Sequence, residues 1–122
     1  VGTTHLGLPT ARYDETVSFY QGLGFTEAFS MTFDDGERLI FLRLKGLLLE
    51  IYESSQCAGI PGAVDHIAID VTDIESVFDA IKAEGYVLLD DHVCSMPFWA
   101  NGEKYFTIQG PNKEKIEFVQ IL

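Results

Sequence analysis

Superimposing the chain on itself with His5 on His66, a shift of 61 residues, also brings Leu6 onto Ile67, Leu8 onto Ile69, Val17 onto Phe78, Tyr20 onto Ile81, Gly24 onto Gly85 and Phe25 onto Tyr86. Self-similarity at a fixed spacing means one supersecondary unit used twice, and it has to be identified before any motif is interpreted. Further along, Gly36-Glu37-Arg38 matches Gly102-Glu103-Lys104 at a shift of 66, and Leu49-Glu50-Ile51 matches Ile116-Glu117-Phe118 at a shift of 67. The shift grows where turns lengthen, which loops tolerate at small entropic cost while the flanking elements stay intact. The expected organisation is a single domain spanning 1–122: module one over about 1–53, a Ser-, Gly- and Pro-rich linker over about 54–64, and module two over about 65–122.

Each module reads as the same series of elements. Residues 3–9 and 65–71 are short β-rich runs, with His66, Ala68 and Asp70 on one face and Ile67, Ile69 and Val71 on the other. A helix follows in each. In module two Ile74, Val77, Phe78 and Ile81 form an apolar stripe, Thr72 with Glu75 suggests a capping box, and Gly85 ends the helix. In module one the helix covers 13–23 with Val17, Tyr20 and Leu23 on its inner stripe, ending at Gly24. Strands are then expected over 26–33, 38–44 and 47–52, and over 87–89, 104–109 and 115–121. The fold class is α+β: two tandem βαβββ modules forming a curved, mixed, eight-stranded half-barrel with helices on the outside.

With 19 Asp and Glu against 8 Lys and Arg, the formal charge of −11 repels phosphate backbones and anionic headgroups, so nucleic acid and membrane surfaces are not expected partners. No run approaches the roughly 18 apolar residues of a membrane span. Cys57 and Cys94 lie far from any CxxC spacing and read as free thiols of a reduced compartment. No basic stretch followed by an apolar run opens the chain, and a cytoplasmic location is the expectation. His92 has no repeat partner and reads as exposed.

The chemistry is concentrated at two repeated positions. Each module carries a His near the start of its first strand, His5 and His66, and a Glu inside the apolar run of its last, Glu50 and Glu117. A lone strand histidine is ordinarily just a hydrogen-bonded side chain, and a strand glutamate commonly points to solvent. It is their joint repetition that points to a metal site. Two imidazoles and two carboxylates suit Zn²⁺, Ni²⁺, Co²⁺, Mn²⁺ or Fe²⁺, and leave water positions open to substrate.

The segments His5-Leu6-Gly7-Leu8-Pro9, Phe19-Tyr20, Leu23-Gly24-Phe25, Leu49-Glu50-Ile51, Asp65-His66-Ile67-Ala68, Gly110-Pro111-Asn112 and Lys115-Ile116-Glu117-Phe118 together resemble the vicinal oxygen chelate superfamily. That superfamily includes glyoxalase I, fosfomycin-resistance enzymes, methylmalonyl-CoA epimerase, extradiol dioxygenases and bleomycin-binding proteins. The complete His, Glu, His, Glu set is most similar to compact bacterial glyoxalase I. The resemblance implies a metal-dependent lyase or isomerase acting on a small α-hydroxycarbonyl compound or hemithioacetal through a metal-chelated enediolate. Glu117 is then the proton-transferring base and Glu50 the second candidate. Glutathione-dependent members commonly carry an Arg and an Asn where this chain has Pro9 and Ser54, which directs the expectation toward another thiol adduct or an unrelated α-hydroxycarbonyl compound. Tyr52, Phe98, Trp99 and Lys115 are the candidate substrate contacts, and the loop with Phe98 and Trp99 either caps the cavity or tucks Trp99 onto the core. A homodimer is expected. The alternatives are a metal-free antibiotic-binding protein of the same fold, an epimerase, or an extradiol dioxygenase.

Overall fold

In a computed structural model, which describes residues 5–122, the chain divides into two compact units between Gly59 and Ile60. Thr3 and Thr4 of the expected first strand lie outside the described residues. The first unit runs β1 (Leu6–Thr10), α1 (Tyr13–Gly22), β2 (Thr26–Thr32), β3 (Arg38–Leu44) and β4 (Leu47–Glu53). Its sheet has the order β1-β4-β3-β2, with β1 parallel to β4 and the other pairs antiparallel. Apolar residues are buried at alternate positions, Leu49 and Ile51 inward on β4 with Glu50 between them facing the other way.

Helix α1 departs from its expected stripe. Tyr20 is buried, but the second buried side chain is Thr16, whose hydroxyl lies 3.1 Å from that of Thr10, while Val17 and Leu23 are only half-buried. The hydroxyl pair satisfies both polar groups, so a threonine can occupy a buried helical position at little cost. The helix is also tied to β4 from the outside. Arg38 donates from Nε to Glu53 at 2.7 Å and from a terminal nitrogen to Asp14 at 2.9 Å, and its guanidinium lies 4.3 Å from the Tyr13 ring centroid.

The second unit runs β5 (His66–Asp70), α2 (Ile74–Ala83), β6 (Val87–Leu88), β7 (Cys94–Met96), β8 (Glu103–Gln109) and β9 (Lys115–Ile121). Its order is β5-β9-β8-β6, with β5 parallel to β9 and β7 also pairing with β8. Among the described residues there are thus nine strands rather than eight. The outer strand, seven residues long and continuous in the first unit as β2, is here broken into β6 and β7. At the break the Thr107 N–H donates to the Asp90 carboxylate at 2.9 Å, a side chain replacing the missing ladder partner. Ile74, Phe78, Phe106, Ile108, Ile116 and Phe118 form the core between α2 and the sheet.

Gly24 (φ +105°) and Gly85 (φ +83°) stop the two helices at equivalent positions, in the left-handed region that favours glycine. The start of α2 differs from the expected Thr72–Glu75 box by one residue. Asp73 is the cap, accepting from the Ser76 backbone N–H at 3.3 Å and from its hydroxyl at 2.7 Å. Those bonds hold the Asp73 carboxyl below its ordinary value of 3.8. A carboxyl depressed by folding stabilises the fold above its unfolded value, and that contribution is lost as pH falls through the folded value. Asp73→Ala is therefore expected to lower the thermal midpoint at neutral pH, with the gap to the parent protein closing in acid; a gap that persists in acid would exclude the charged cap as its source.

Cys57 and Cys94 are free thiols. None of the described helices is long and apolar enough to cross a membrane.

Candidate active site

The two units each assemble one His–Glu pair by the same means. In the first, β1 and β4 run parallel with Gly7 opposite Glu50, so His5, just before β1, reaches the Glu50 side chain across the strand end. His5 Nε2 lies 3.9 Å from Glu50 Oε2, and the imidazole packs edge-on against Phe41 at 5.3 Å. Tyr52 shares that face: a Cβ on Gly7 would sit 3.7 Å from the Tyr52 ring and 3.8 Å from the Glu50 carboxylate. Glycine keeps the space between these two side chains open.

In the second unit β5 and β9 run parallel with His66 opposite Lys115, and the contact is tighter. His66 Nε2 is 2.9 Å from Glu117 Oε2, and its other ring nitrogen is 3.0 Å from Asp65 Oδ2. Lys115 Nζ completes the chain at 3.1 Å from Asp65 Oδ1. Hydrogen bonding to His66 first, then to Lys115, holds the Asp65 carboxyl below its usual range. Burial pushes the Glu117 carboxyl up; the nearby His66 ring opposes that rise, whereas Glu103 and Asp90 reinforce it.

A neutral imidazole carries one ring proton, so His66 meets carboxylates at both of its nitrogens with either a further proton or a cation held between Nε2 and Glu117. The geometry admits either. Ligand bonds of about 2.0–2.1 Å put adjacent donors of one ion roughly 2.9–3.4 Å apart, and the His66–Glu117 separation of 2.9 Å lies at the near edge of that range. Asp65 supplies the outer carboxylate that fixes ring orientation in metal sites. The His5–Glu50 separation is wider. Among the described residues no group of three or more His, Cys, Asp or Glu side chains is gathered for an ion, so each unit presents a pair.

Around the second pair the sheet forms a cleft of about 270 Å³ that His66, Glu117 and Lys115 share with Asp65, Asp90 and Tyr105. The sulfur of Cys94 beside it, and then burial, push the Tyr105 phenol above its ordinary value, so it stays a hydrogen-bond donor. A family model described as Glyoxalase/Bleomycin resistance protein/Dioxygenase superfamily matches residues 2–118. The chain belongs to that superfamily. The glyoxalase family protein from Enterococcus faecalis superimposes with a TM-score of 0.80 at 22% identity, covering 97% of this chain and 96% of that one. FosX, a fosfomycin resistance protein from Listeria monocytogenes solved with Mn(II) and sulfate, superimposes with a TM-score of 0.75 at 17% identity, covering 99% and 93%. By sequence the chain is 25% identical over 129 residues to the uncharacterised protein YwbC of Bacillus subtilis (strain 168), covering 95% of this chain and 94% of YwbC.

Within this superfamily frame, the remaining sequence-derived residues fall in different places. Phe98 is about half exposed, and Trp99 lines another cleft, of about 570 Å³, with Glu103. His92 is exposed and paired with Asp91. Asp65, Asp90, Tyr105 and Thr107 were not anticipated as lining residues. Tyr105 and Thr107 follow only from register: Thr107 is the cross-strand partner of Glu117, and Tyr105 stands two residues along the same face.

Proposed function

We propose that the chain is a metal-dependent, glyoxalase I-like lyase or isomerase that moves a proton between adjacent carbons of a small α-hydroxycarbonyl compound or hemithioacetal. The reading rests on one observation: the repeat-equivalent pairs His5–Glu50 and His66–Glu117 each direct Nε2 at a glutamate oxygen. In this reading His5, Glu50, His66 and Glu117 are the metal ligands, for a divalent ion that is Ni²⁺, Zn²⁺ or Co²⁺ by preference, and the chain forms a homodimer. When bound, the ion supplies Lewis-acid stabilisation of negative charge on the substrate oxygens. The rest is the work of side chains. Glu117 accepts the proton at its carboxylate and returns it to the neighbouring carbon, Asp65 holds the His66 ring, and Tyr105 and Lys115 donate to substrate oxygens. Tyr52 supplies a wall on the other pair, and the chain works in the cytoplasm.

The cleft carries the carboxylates of Asp65, Asp90 and Glu117, with Lys115 paired to Asp65. Equilibrium dialysis of the stripped protein against each ion is expected to return one divalent ion per chain. The loaded protein should then consume methylglyoxal in the presence of one of several small thiols without taking up oxygen. Failure to retain any ion would support a metal-free binding protein instead, and oxygen uptake with catechols would assign a dioxygenase.

A further inference from the structure

The cleft beside Trp99 has the ingredients of a binding site distinct from the His66–Glu117 cleft. Its volume of about 570 Å³ is within the range of small-molecule pockets, roughly 300–1,000 Å³. Trp99 is 67% exposed, although its indole N–H donates to Glu103 Oε2 at 2.9 Å. Its backbone is in the left-handed region at φ +65°, uncommon for a bulky residue. The ring is therefore pinned by its edge with its surface left open. Glu103 is only 8% exposed, and among the described residues it has no cationic partner. A buried carboxylate is ordinarily paired with a cation, whereas the partner seen here among the described residues is the neutral indole N–H.

The rest of the lining adds apolar surface and more acceptors, and no basic side chain. Met96, Pro97 and Leu122 supply the apolar part. The Met96 carbonyl lies 3.2 Å from where a Cβ on Gly102 would sit, so the main chain there has to stay bare. An aromatic face, a buried carboxylate and a wall of carbon are what recognise an alkylammonium group, through attraction to the ring quadrupole and to the negative charge together.

We infer that the cleft formed by Trp99, Glu103 and Met96 binds small organic cations, alkylammonium groups lying over the indole with Glu103 as counter-ion. This does not rest on the proposed activity, and it uses none of the metal-directed side chains.

Trp99 is the sole tryptophan of the chain, so its fluorescence reports on this cleft alone. Titration of the metal-free protein with choline, at constant ionic strength, is expected to give a saturable change in emission. Its uncharged carbon isostere 3,3-dimethylbutan-1-ol should need at least tenfold higher concentration. Glu103→Gln keeps an acceptor for the indole and removes the charge, and it is expected to weaken choline binding at least tenfold while leaving the response to the isostere unchanged. Equal responses to choline and its isostere in the parent protein, or no saturable response to choline, would overturn the proposal without recourse to any variant. So would a folded Glu103→Gln protein that binds choline as the parent does.

Discussion

Glu117→Gln is expected to lower turnover of the accepted hydroxycarbonyl or hemithioacetal by about 10²–10⁴-fold, the usual contribution of a positioned general base. Glutamine preserves the volume of the side chain and one oxygen facing His66, so the sheet and the bound ion should survive; what is lost is the proton acceptor. Glu50→Gln removes a charge from the wider of the two pairs, and its expected effect is on ion retention, with loss of turnover following from that. Measuring ion content and turnover on both variants separates the roles. A Glu117→Gln protein with full turnover would remove Glu117 from the chemistry. Equal ion loss from both variants would mean that the glutamates have no division of labour.

Phe106→Ala is expected to destabilise the protein by about 3–5 kcal/mol, as large-to-small changes at fully buried aromatics do. Phe106 is completely buried, stacked on Phe118 at 5.0 Å and edge-on to Phe78 at 5.1 Å. It thus joins β8, β9 and α2, and a cavity there has aromatic walls on two sides that cannot collapse inward without leaving their rotamers. Urea unfolding followed by circular dichroism should show a lower midpoint with an unchanged slope. A loss below about 1 kcal/mol would mean that the core repacks around the gap.

Much of this architecture is legible in the amino-acid order because it is written twice. Apolar alternation on β4 and β9, the helix-ending glycines Gly24 and Gly85 and the His and Glu positions reinforce one another when the copies are aligned. Features present in one copy only were harder to read. Cys94-Ser95-Met96 is too short to show a period, so β7 went unseen, although it pairs with β8 through three residues. The buried Thr16 breaks the apolar stripe of α1 because its polarity is cancelled by Thr10, six residues earlier and in another element. Asp65, Asp90 and Tyr105 reach the cleft through cross-strand register and side-chain hydrogen bonds, which no local pattern encodes. Trp99 was visible as an aromatic in a loop, but its pairing with Glu103 depends on a backbone conformation that the sequence does not announce.

The divided outer strand of the second unit has a consequence for how such a chain can change over generations. The first unit keeps its border strand in one piece, with a single register shift between Glu27 and Phe29. In the second, the interruption between Leu88 and Cys94 hands part of the wall of the cleft to a short stretch that bears little of the sheet's hydrogen bonding. New selectivity can thus arise by mutating that stretch while the paired strands on either side are inherited intact.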